Sequence, residues 1–228
     1  MKKILATLFI CFILMPIFSI EEEWIGAASS YKTNDLEKEI KSLENQLKKD
    51  KTNYDLITKL GFVYHFLSIS GKKVAKKSIS YFEESLKIKN DVLIQTYLGS
   101  SWTLLGRENL DLGYLNKGSK MIDESFKKEP ENISILIVLL TNGIGMPDFI
   151  FSKREPMVQK ALETLEKLKT ENKLSEGIIG VFLFNKSLYL LKKKDLTNAK
   201  LLWKEVLEKY PSSEEAKKSK KLLEQYTE

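Results

Sequence analysis

Twice in this chain a helical stretch carries Leu-Gly followed, three residues after the Gly, by a large aromatic. Leu60-Gly61 precedes Tyr64, and Leu98-Gly99 precedes Trp102. After each comes a second helical stretch ending in a small residue, a large apolar residue and then a breaker. A pattern recurring at a fixed period predicts stacked helix pairs, each burying its apolar face against the next. Such a stack forms an extended, curved surface suited to holding other chains.

The pattern can be followed along most of the sequence. Leu36, Ile40, Leu43 and Leu47 recur at steps of four, three and four, which places them on one helical face; Asp35 is expected to cap that helix. In the next pair Ile57, Leu60, Gly61 and Tyr64 mark one helix, and Ser78, Phe82, Ser85 and Leu86 the other. A third pair carries Leu98, Gly99 and Trp102, then Gly118, Ile122, Ser125 and Phe126, with Pro130 as its stop. The stretch from Ile133 to Leu140 is apolar almost all round and should be the most deeply buried helix. Ala199, Trp203, Val206-Leu207 and Pro211 close a last pair. Ser212 and Ser213 then restart a Lys-rich helix with Leu222 and Leu223 on one side, the form expected of a polar cap on a solenoid.

On these residues, roughly 36 to 223, the chain resembles the tetratricopeptide repeat family. That family has a period of about 34 residues, and its pattern runs Leu-Gly-x-x-Tyr, then small, aromatic and small residues, then Pro. There are departures. Ser187 and Leu190 stand where the last repeat would have Gly and Tyr, and the Ile133–Leu140 helix lacks both. The connections at Ser68–Lys77 and Arg107–Asn116 read as loops, about five and seven residues longer than the family spacing. The expected fold class is all-α: an α-solenoid of about nine or ten antiparallel helices over residues 34–228. The resemblance implies that the first helix of each pair lines a concave groove. By register the groove residues are Thr58, Phe62, His65 and Phe66 from one pair, and Thr96, Ser100 and Thr103 from the next. Their aromatic, hydroxyl and imidazole groups suit a docked peptide or helix.

The amino terminus reads as a targeting segment. Lys2-Lys3 precedes an apolar run to Ile20, and Glu21-Glu22-Glu23 follows abruptly. That order predicts a secretory signal over residues 1–19, cleaved after Ser19, with residues 20–33 as a flexible lead. Two other readings stay open. One is an uncleaved anchor, a membrane being an expected partner only through this segment. The other is lipidation at Cys11, against which Ile10 occupies the position where a small residue is wanted. Export and a Lys-, Asn- and Ile-rich composition point to a periplasmic or secreted protein of the bacterial envelope.

Cys11 is the only cysteine and His65 the only histidine. Once the signal is removed, disulfides, thiol nucleophiles and Cys-based metal sites are excluded. No metal or cofactor is expected. A general base needs a partner group, so His65 reads as a surface or groove residue. The 37 basic and 31 acidic residues are interleaved, as solvated helix faces are. The aromatics stand at packing positions and not along a basic stripe, so nucleic acid is not an expected partner. No phosphate loop, Gly-x-Ser-x-Gly or His-Glu-x-x-His is present. The expectation is a non-enzymatic scaffold for a protein or peptide partner. A structural subunit of an envelope assembly is the alternative. A ligand or enzymatic role is left to the Gly143–Glu155 segment, read as an interrupting loop. There Phe149, Phe151 and Arg154 either form a binding element or, for the two phenylalanines, plug the core.

Overall fold

The structure, a computed structural model, describes residues 29–226. The expected signal at residues 1–19, its cleavage after Ser19 and the alternative lipidation of Cys11 lie outside the described residues. So does most of the expected flexible lead.

Among the described residues ten helices follow one another, with no strand: α1 (Thr33–Leu47), α2 (Tyr54–Ile69), α3 (Ala75–Ile88), α4 (Val92–Asn109), α5 (Leu112–Lys128), α6 (Ile133–Ile144), α7 (Asp148–Thr170), α8 (Glu176–Lys192), α9 (Leu196–Lys209) and α10 (Glu214–Gln225). Consecutive helices pack in pairs, and α2, α4, α6, α8 and α10 also contact one another in series. No comparable contact joins α3 to α5, α5 to α7 or α7 to α9. The even helices therefore form a close inner layer and the odd ones a splayed outer layer. That difference in spacing curves the stack, with the inner layer on the concave side.

Local chemistry explains where the helices begin. The side chains of Asn53, Asp91, Asn132, Ser175 and Ser213 accept hydrogen bonds from first-turn amides at the starts of the five inner helices. Asp111 and Asp195 do the same for α5 and α9. Val74, before α3, has no such oxygen. Glu108 reaches across from α4 instead, accepting from the Ala75 amide at 3.2 Å and from the Ser68 hydroxyl at 2.7 Å. The expected Asp35 cap is not formed: Lys32 holds the cap position without a side-chain bond, and Asp35 lies in the first turn.

Small residues set the helix spacing. A Cβ on Gly99 would lie 2.8 Å from the Gly118 carbonyl oxygen, and one on Gly61 would lie 2.6 Å from the Phe82 ring. Both are shorter than packed atoms tolerate, so these crossings require glycine. In the pair that lacks the Leu-Gly pattern, Gly143 takes this role against Val158. Ile135, Leu136, Leu139 and Leu140 of α6 are fully buried, as the all-round apolar pattern requires.

Two expected loops are helical. The Arg107–Asn116 connection consists of Leu110 and Asp111 alone, because α4 continues to Asn109 and α5 starts at Leu112. The Gly143–Glu155 segment is the end of α6, a turn at 145–147 and the start of α7. Leu110 accomplishes its reversal with φ +56° while 91% exposed. A left-handed backbone strains a side chain that gains nothing from burial here. Leu110→Gly is expected to stabilise the protein by about 0.5–1 kcal/mol in urea denaturation, since relief of strain outweighs added unfolded-chain entropy.

Candidate functional site

Six of the seven residues assigned to a groove by register are buried: Thr58, Phe62, His65, Thr96, Ser100 and Thr103. Phe66 is half-buried. The correction has a steric cause. Tyr97 of α4 and Phe82 of α3 are large, and Phe62 meets both edge to face at centroid distances of 4.7 and 5.0 Å. His65 and Phe66 contact the same Tyr97 ring. These residues thus fill the seam between α2 and α4, and the solvent-facing groove lies elsewhere.

The hydroxyls among them act as buried connectors. Thr58 and Ser85 share a hydrogen bond of 2.5 Å. His65 Nδ1 lies 3.0 Å from Ser101 Oγ, which donates to the Tyr97 carbonyl. Ser78 lies 2.9 Å from Ser101 and donates to the Gly61 carbonyl. Thr96 donates to the Val92 carbonyl within its own helix. Thr103 bonds Asn142 of α6, whose amide nitrogen donates to Ser100 Oγ at 3.0 Å. This chain of bonds ties α2, α3, α4 and α6 together. Burial lowers the His65 pKa to about 3, so the imidazole is neutral at ordinary pH.

The residues of the expected 143–155 loop divide. Phe151 is buried against Tyr189, with centroids 6.2 Å apart. Phe149 is 61% exposed. Arg154 is buried and forms a two-pronged pair with Asp123 of α5, at 2.8 and 2.6 Å.

The concave side holds an open cavity of about 1160 Å³. Its walls come from α1, α2, α6, α8 and α10 and from residues 29–32, and no residue of an outer helix after α1 lines it. Phe66, Ile69, Ile133, Ile178 and Val181 supply the apolar surface. Ile69 is 57% exposed, though it is large and apolar. Lys32, Glu214, Glu215, Lys217 and Lys218 are also in the lining. A hydrogen bond from Lys217 at 2.5 Å holds the Glu214 carboxyl below its ordinary pKa, with smaller contributions from Lys218 and Lys32. Lys32 and Glu214 line the same cavity, so the two ends of the described chain approach one another there.

Of the register-assigned set only Phe66 reaches the cavity. Ile69, Ile133, Ile178 and Val181 were missed. A signal for Ile133 and Ile178 was present: α6 and α8 are apolar on several faces, and these two residues lie in their first turns. Among the described residues no cluster of three or more His, Cys, Asp or Glu side chains could hold a metal ion, and no helix is long and apolar enough to cross a membrane. No protein-family model matches the chain, and no curated protein matches it.

Proposed function

We propose that this chain is a non-enzymatic interaction scaffold of the bacterial cell envelope, built on tetratricopeptide-like helix pairs, which holds a peptide segment of a partner protein in its concave cavity. The observation that carries this reading is the cavity itself. Its size, about 1160 Å³, is above the usual range of about 300–1,000 Å³ for small-molecule sites. Its apolar floor and mixed-charge edge have the composition of a peptide groove, where buried apolar anchors give affinity and polar rims give register. Export through the amino-terminal apolar segment places the scaffold in the periplasm or outside the cell. The 143–155 segment supports this reading over an enzymatic one, because Arg154 is already engaged by Asp123 and Phe151 by the core.

The test is the double variant Ile69→Asp with Ile178→Asp. Ile69 is exposed and Ile178 half-buried at the cavity wall, and the variant is compared with the unaltered protein only after its helicity is verified. A partner captured from native envelope by the unaltered protein should be lost, because two buried charges in an apolar anchor site cost several kcal/mol. Full retention of that partner by the folded variant refutes the cavity as the site.

A further inference from the structure

On the opposite, outer side, α5 and α7 diverge and leave a cleft of about 340 Å³. Two polar groups in its lining lack partners. Ser119 is 5% exposed, and its hydroxyl makes no hydrogen bond. Arg154 is 8% exposed; Asp123 occupies its two terminal nitrogens, while its Nε is buried and unbonded. A buried polar group left unmet is costly, so the two mark a place for a hydrogen-bond acceptor.

The surroundings fix the sign and shape of what supplies it. Lys120, Asp123, Glu124, Lys127 and Lys153 line the cleft along with Arg154. Arg154 offsets Asp123, and Lys120 approaches Glu124 at 4.0 Å. Lys127 and Lys153 remain, and they make the cleft positive. Phe149 and Leu112, 61% and 49% exposed, add an apolar wall. The volume admits one large side chain with a short length of backbone and no folded domain.

We propose that this outer cleft is a second docking site, taking a short acidic peptide segment with a large apolar residue. A backbone carbonyl accepts from Ser119 Oγ and Arg154 Nε. The apolar side chain packs on Phe149 and Leu112, and flanking carboxylates pair with Lys127 and Lys153. The site is independent of the concave cavity, so either can fail without the other.

The experiment is an amide-resolved NMR titration of the full chain with the blocked peptide acetyl-Glu-Leu-Glu-Phe-Glu-amide at low salt. Saturable shifts are expected at Asn116, Ser119 and Arg154. Replacing the three Glu of the probe by Gln, or reversing charge with Lys127→Glu and Lys153→Glu, should weaken binding about tenfold, the combined effect of two exposed ion pairs. Phe149→Ala, at an exposed position, should weaken it as well. The proposal is overturned by any of three results. One is no saturable shift in the cleft, which would leave ordered water as the partner of Ser119 and Arg154. The second is shifts confined to Ile178 and Val181. The third is binding unaffected by the charge reversal.

Discussion

Replacing Gly99 by leucine is expected to destabilise the protein by about 3 kcal/mol, the upper part of the range for overpacking a buried contact. A Cβ alone would meet the Gly118 carbonyl oxygen at 2.8 Å and Met121 Cβ at 3.0 Å. The first of these is backbone and cannot rotate away. The remaining leucine atoms have nowhere to go unless α4 and α5 move apart, and their closeness ties the inner layer to the outer one. In a domain of this size the melting temperature should fall by roughly 6–12 °C. Gly177→Ala is the matched control. Nothing lies within 4 Å of its added Cβ, so that change should be neutral or stabilising by up to about 1 kcal/mol. Equal effects of the two substitutions in thermal denaturation would show that the α4–α5 contact does not depend on glycine.

Stability should also fall as the pH drops from 7 to 5. His65 is the only histidine, and its folded pKa is about 3 against an ordinary value of 6.5. Between these values the unfolded chain binds a proton that the folded chain refuses. Unfolding is then favoured as pH drops, and the stabilisation is fully present only above about pH 6.5. The loss approaches about 1.4 kcal/mol per pH unit and reaches roughly 2 kcal/mol by pH 5. Urea denaturation at pH 7, 6 and 5 measures it. In His65→Gln, which retains hydrogen-bonding capacity toward Ser101, the profile should be nearly flat over that interval. A slope unchanged by the substitution would place the titrating group elsewhere.

The helices were legible because their signals are local. A 3.6-residue apolar period identifies α1 through α4, and Ser213 opens α10 as its sequence context predicts. What misled was glycine. Gly143 opened a segment read as an interrupting loop, yet it lies within α6 because the Val158 side chain occupies the space of the missing Cβ. A breaker and a close-packing site are spelled with the same letter, and only the partner helix distinguishes them.

The site was less legible for a related reason. Register along one helix tells which positions share a face, but the tilt between neighbouring helices decides whether that face is open. Tyr97 and Phe82 close the α2–α4 seam over Phe62 and His65. The open surface is displaced to the start of α1, the last turn of α2 and the first turns of α6, α8 and α10, elements spread along the chain from residue 29 to residue 218. Their convergence depends on the curvature of the whole stack, which no local pattern encodes.

The concave cavity as the seat of the partner is the central claim, and site-specific photo-crosslinking tests it most directly. A benzophenone side chain is placed at Ile178, in the cavity, and separately at Leu201, which is 58% exposed on the outer helix α9. After irradiation in the native envelope, the Ile178 protein should yield a crosslink to one defined segment of a partner, abolished by Ile69→Asp, and the Leu201 protein should yield none to that segment. The same crosslink from Leu201 with none from Ile178 would contradict the account.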